Sequence, residues 1–336
     1  MSGCANQSLL SELKDLDLPP YTHLSDVPFF PQEPLLCGPA ALATVINYYD
    51  HKTIPEDLND RLWTPEAKGT FGVDMISATR AKGMLAIRSP DKLEDLLLVT
   101  SQGWPSIHLL NLGFKQLPQW HYAVLVGYDL DNEEVVLRSG KVRVRKMSFK
   151  HFMRSKALAN NWAIIPAFPD QLPVLAEWEL VYKELLSFTE VMPEYKTEAF
   201  STAARTYRDQ WQFLFAHGNN LFEMTQFNEA TAAYQSALNL SNNASIWNNL
   251  AYSLVQQGCV DLAKEAIQCA GNISADDANI SKSILEILSV QSSGSRLNVQ
   301  CPSEIHCPVS INVSDAMPDN ISNTTSNAVP SSISAP

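Results

Sequence analysis

The chain has no excess of positive charge. Its 24 Lys and Arg stand against 36 Asp and Glu, a formal net charge of −12 over 336 residues. A phosphate backbone needs a basic face, so this balance argues against nucleic acid as a partner. The densest basic patch, "KVRVRKMSFKHF" at 141–152, alternates like a strand and reads as a solvated strand face. No apolar run reaches the roughly 18 residues of a spanning helix. Cysteine is also sparse: Cys4, Cys37, Cys259, Cys269, Cys301 and Cys307 suggest no disulfide scaffold in a chain this long. Cys301 and Cys307 flank "PSEIH" and are a candidate pair in an oxidising compartment. A zinc site would need more ligands, more closely spaced, than His306 adds to them, so neither metal nor cofactor is expected.

What is present is an ordinary globular composition, 45% hydrophobic and 18% charged, long enough for two compact domains. Four changes of composition divide it. Residues 1–22 form a short leader or tether. Its start, "MSGCANQS", resembles the end of a bacterial lipoprotein signal, in which small residues precede a lipidated cysteine. The resemblance implies lipidation at Cys4, a lipid anchor as the only membrane contact, and a place in the bacterial cell envelope as a periplasmic lipoprotein; the alternative is a cytoplasmic protein with an incidental thiol at Cys4. Residues 23–167 mix helical and strand patterns, 168–202 are an acidic, proline-dotted connector, and 203–290 read as almost continuous helix. From 291 to 336 the Ser, Asn and Pro content is too polar to offset chain entropy, and the tail is expected to be disordered.

Within 23–167, Leu42, Val45, Ile46 and Tyr49 recur at helical spacing behind Gly38 and Pro39, and further helices are expected near 73–82 and 91–100. Strand patterns follow at 105–112, 121–130, 133–140 and 141–148, with "NWAIIPAF" as a closing strand. Helices followed by an antiparallel sheet indicate an α+β domain. In the helical part, "GNNLFEMTQFNEATAAYQSALNL" from Gly218 corresponds to "AYSLVQQGCVDLAKEAIQCAGNI" from Ala251, a shift of 33. Small residues match (Gly218 with Ala251, Ala230 with Ala263), which lets antiparallel helices pack closely. The pattern resembles tetratricopeptide repeats, which implies an all-α array and a peptide or protein partner in a helical groove. Thr225 stands where that family usually has a glycine, supplied by Gly258 in the second copy.

Cys37 opens the first helix. A helix N-terminus lowers a thiol's pKa through unpaired amides and the helix dipole, which makes Cys37 a candidate nucleophile. Gln32, five residues earlier, is placed to turn its amide to the same point and, with the Cys37 N–H, to form a two-donor oxyanion hole. His121 opens the most apolar strand, at the mouth of any cleft there, and is the candidate base.

"VPFFPQEPLLCGPAALATVINYY" and "WHYAVLVGYDLDNEEVVLRSG" resemble the papain-like cysteine peptidases that cleave double-glycine leader peptides, in particular stand-alone bacterial lipoprotein forms with tetratricopeptide repeats. The resemblance implies Cys37 as nucleophile, His121 as general base and later acid, Gln32 as oxyanion donor, and a peptide or protein as substrate. Two departures stand out. The family usually has its glutamine six residues before the cysteine, and an aspartate at the end of the strand after the histidine strand. Here that end carries Ser139, the first choice as imidazole orienter, with Asp129 second. No GxxxxGKS or GxxxxGKT motif is present, so this is not the transporter-fused form. The alternatives are a catalytically silent envelope scaffold built on the same fold, and acyl transfer by the same dyad.

Overall fold

The computed structural model describes residues 17–32, 36–64, 69–274, 276–291, 301–302, 304–305 and 307. Cys4 lies outside them. The chain divides into two compact units, residues 1–195 and 196–336.

The first unit is an antiparallel sheet covered on both faces. Its strands are β1 (Tyr21–His23), β2 (Leu85–Arg88), β3 (Ser106–Asn111), β4 (Trp120–Asp129), β5 (Glu134–Ser139), β6 (Val142–Ser148) and β7 (Ala163–Ala167). Their spatial order is β2-β7-β3-β4-β5-β6, with β1 beside the end of β4. Helix α1 (Cys37–Tyr48) packs on one face, where Leu42, Val45 and Ile46 meet Tyr122, Val124 and Val126. On the opposite face α4 (Leu93–Ser101) and α5 (Phe149–Ala157) cover Ala123, Leu125 and Leu137. Alternate residues of β4 thus feed two cores, which is why its sequence is a continuous apolar run. A register shift between Leu125 and Gly127 then re-aims the strand's end. Gly127 admits β1 there, because a Cβ would collide with the backbone of Thr22.

Two short helices, α2 (Glu56–Leu62) and α3 (Gly72–Arg80), complete the α1 side. The expected helices and sheet strands are present within a few residues. Missed were β1, β2, α2 and α5, whose patterns are too short or too polar to stand out. The connector expectation also needs correction. Residues 178–191 form α6 (Trp178–Val191), whose buried Glu184 accepts from Arg80 Nε and Nη2 at 2.9 and 2.6 Å and from Ala86 N at 2.9 Å. That amphipathic helix buries Val181, Leu185 and Phe188, so this stretch is part of the first unit.

The second unit begins earlier than expected, with α7 (Lys196–Thr206), followed by α8 (Trp211–Glu223), α9 (Phe227–Leu238), α10 (Ala244–Gln256), α11 (Val260–Ile273) and α12 (Ala278–Ser289). The small residues of the repeat lie at the helix crossings: a Cβ on Gly218 would sit 2.6 Å from the Tyr234 ring, and Ala230, Ala251 and Ala263 are fully buried. Thr225 and Gly258, at matching turns, both take left-handed φ, +59° and +81°.

The cysteine pairing is a correction. Cys301 does not join Cys307; the disulfides are Cys259–Cys301 and Cys269–Cys307, with Cα separations of 5.8 and 5.6 Å. Ten residues of helix rise about 15 Å, and six residues of extended chain reach about 20 Å. The segment can therefore run along α11 and be bonded at both ends. Ile305 and Cys307 pack against the helical core, so part of the stretch expected to be disordered is anchored.

Candidate active site

Cys37 begins α1, and a Cβ on the next residue, Gly38, would collide with the Thr70 side chain. The thiol accepts from the backbone N–H groups of Cys37, Gly38 and Tyr122, the last being the residue after His121. The helix start and the head of β4 therefore meet at the sulfur. Burial outweighs these donors and pushes the thiol's pKa up. The N-terminal helix position alone suggested the opposite; desolvation decides the sign.

His121 Nε2 lies 2.8 Å from Ser139 Oγ. Ser139 is buried at the end of β5, next to β4, whose second residue is His121. With Nε2 engaged by Ser139, Nδ1 is the other ring nitrogen. Burial first, and the positive charge of Arg145 second, push the His121 pKa down to about 4. Burial thus favours the neutral form of both side chains.

Gln32 is buried where β4 and β5 splay apart. Its N–H donates to Gly140 O at 2.9 Å, its Oε1 accepts from Gly140 N at 2.8 Å, and its Nε2 donates to Tyr122 O at 3.3 Å. The side-chain amide thus stands in for a missing rung between the two strands. An amide nitrogen has two hydrogens, and the second has no hydrogen-bond partner among the described residues.

Asp129, the alternative orienter, is excluded by position. It ends β4, eight residues from His121, or about 27 Å along an extended strand. Its carboxylate accepts from Asn132 N and Asn132 Nδ2 and pairs with Lys146.

Three contributors were not read from the sequence. Tyr122 and Gly140 act through their backbones, which no side-chain pattern reveals. Arg138 is 1% exposed, and its guanidinium donates to the carbonyls of Leu24, Ser25, Val27 and Arg143 and meets His23 Nε2. It ties the segment leading to Gln32 onto β5. An arginine inside an otherwise apolar strand, "VVLRS", was the available signal. Among the described residues no cluster of three His, Cys, Asp or Glu is placed to hold a metal, and no helix is long and apolar enough to cross a membrane.

Residues 24–139 match the Peptidase_C39 like family. That span runs from the segment held by Arg138 to Ser139 and supports a C39-like peptidase reading of this stretch of the chain; the match does not reach the second unit. Three solved structures are similar over part of the chain. A C39-like peptidase from Bacillus anthracis is 17% identical, covering 44% of this chain and 97% of its own, with a TM-score of 0.38. The peptidase domain of Streptococcus ComA, a bifunctional ABC transporter involved in a quorum-sensing pathway, is 24% identical over 42% and 98%, with a TM-score of 0.33. A double-glycine motif protease from an AMS/PCAT transporter, solved with its leader peptide, is 20% identical over 44% and 94%, with a TM-score of 0.32. No curated protein matches the sequence.

Proposed function

We propose that the first unit is a cysteine peptidase that hydrolyses a peptide bond through a thioester acyl-enzyme. Cys37 is the nucleophile, His121 the base and then the acid that protonates the leaving amine, and Gln32 and the Cys37 N–H hold the oxyanion. The observation that carries this reading is the convergence at one point of the α1 start, the β4 head and Gln32, with His121 held through Ser139. The helical unit is proposed as a tetratricopeptide-like surface for a protein or peptide partner. An envelope location, with lipidation at Cys4, is proposed for the whole chain. Two disulfides support it, because they persist in oxidising compartments.

The test is labelling by an electrophilic peptide probe, mapped by mass spectrometry without reduction. Cys37 is expected to react, and His121→Ala to abolish the reaction. Equal labelling of Cys37 in both proteins would remove the catalytic reading. A second reading, a silent scaffold, is favoured by Ser139 standing where a carboxylate would stabilise an imidazolium. It predicts that Cys37→Ala retains full cellular function.

A further inference from the structure

Strand β6 closes one end of the sheet, and among the described residues no strand pairs with its outer edge. Six of its seven residues are exposed. An unpaired edge is a template for another extended chain. This one collects Arg143, Arg145 and Lys146, with Lys141 just ahead of it, on a protein of net charge −12. Lys146 is engaged by Asp129 and Glu134 at the far end of the strand. Arg143 and Arg145 have no acidic partner among the described residues. Val142 and Val144, beside them, are 49% and 46% exposed.

Cations on an edge strand also serve to repel unwanted strand pairing, and that alone would account for them anywhere on the sheet. This edge, however, leads into the site. Val142 pairs with Ser139, whose hydroxyl holds His121, and the charge of Arg145 is felt at the His121 ring.

We propose that β6 is the docking edge for the substrate. An extended, acidic peptide segment adds to β6 as a further strand, with carboxylates set against Arg143 and Arg145. The chain then runs on past the Val142 end toward Cys37. The proposal rests on the peptidase reading and adds the substrate class. Main-chain pairing supplies affinity with little sequence demand, and the two cations select acidic side chains. A cationic strip on an acidic protein also concentrates anionic ligands there and repels them elsewhere.

The test is binding, read by fluorescence anisotropy on the full chain carrying Cys37→Ala, so that turnover does not enter. The probe is a fluorescein-labelled octapeptide alternating Glu and Thr; the controls are a Lys and Thr octapeptide and the Glu peptide N-methylated at alternate residues. The Glu peptide is expected to bind at least about tenfold tighter than either control, and to weaken as salt rises. Arg143→Glu with Arg145→Glu is expected to remove that advantage while leaving the far-ultraviolet circular dichroism unchanged. Equal binding of Glu and Lys peptides, or unchanged binding after charge reversal, would overturn the proposal and leave the cations as edge guards. Probe labelling of Cys37 tests the peptidase reading separately, so failure of one is distinguishable from failure of the other.

Discussion

The two units of this chain hold themselves together by different means. In residues 1–195 the decisive contacts join positions far apart in sequence: Gln32 with Gly140, Ser139 with His121, Arg138 with the segment from His23 to Val27. Its one described cysteine is a free thiol. In residues 196–336 successive helices pack on their neighbours, and four cysteines are spent in two disulfides. The difference shows how a reactive thiol and structural disulfides coexist in one protein. Exchange requires a thiolate, and burial holds Cys37 in the thiol form until a base takes its proton. The thiol is thus protected by its surroundings, and the other cysteine sulfurs among the described residues by being paired.

The comparison breaks hardest if the site is disarmed. His121→Ala is expected to lower kcat/KM, and the rate of probe labelling at Cys37, by about 10²–10⁴, with no change in the melting of the second unit. Next in size is reduction of the disulfides. Loops of 42 and 38 residues are closed, and each bond is expected to stabilise by about 4 kcal/mol. A reductant should lower the melting temperature of the helical unit and leave that of the first unit in place; calorimetry with and without reductant checks this.

The pH dependence separates this site from one built on a thiolate and imidazolium. His121 must be neutral to act as base, and its pKa is lowered to about 4. The acid limb of kcat/KM is therefore expected near pH 4. Alkylation of Cys37 should rise only on the alkaline side, without a plateau in the acid range, because burial raises the thiol. The sign for stability follows. The unfolded chain binds a proton at His121 near the ordinary histidine value, about 6.5, and the folded chain only near 4. Stability at this group is thus lost as pH falls between those values. Ser139→Asp would pair with an imidazolium and is expected to move the acid limb upward in a pH–rate profile.

The smallest effect concerns the repeat. Thr225 takes a left-handed φ that a β-branched residue adopts at a cost of about 1 kcal/mol or more. Thr225→Gly is expected to stabilise the helical unit by up to about 1 kcal/mol, measured by urea unfolding. The same change at a turn with ordinary φ would destabilise.

The positions of the candidate site residues were legible because each is an unusual placement. Cys37 before Gly38 and Pro39, His121 at the head of an apolar run, and Ser139 at the end of the next strand each mark an element boundary. The α+β class was legible too, since helical and alternating patterns occupy separate stretches. The misses share a cause. β1 and β2 are three and four residues long and exist only through their partners, so no local period announces them. α6 was hidden by an acidic, proline-dotted composition, although its buried face carries Val181, Leu185 and Phe188.

By itself the sequence determined the order of the elements, the small residues at the helix crossings, and which thiol heads a helix. These follow from local periodicity and from the steric limits of glycine and proline. Tertiary structure alone decided the cysteine partners, the exclusion of Asp129, and the protonation of the site. Those depend on which distant groups share a boundary and on how much water is left around them. A helix N-terminus favours a thiolate, but desolvation at Cys37 outweighs it. Only the folded chain, by closing the site off from water, sets that balance.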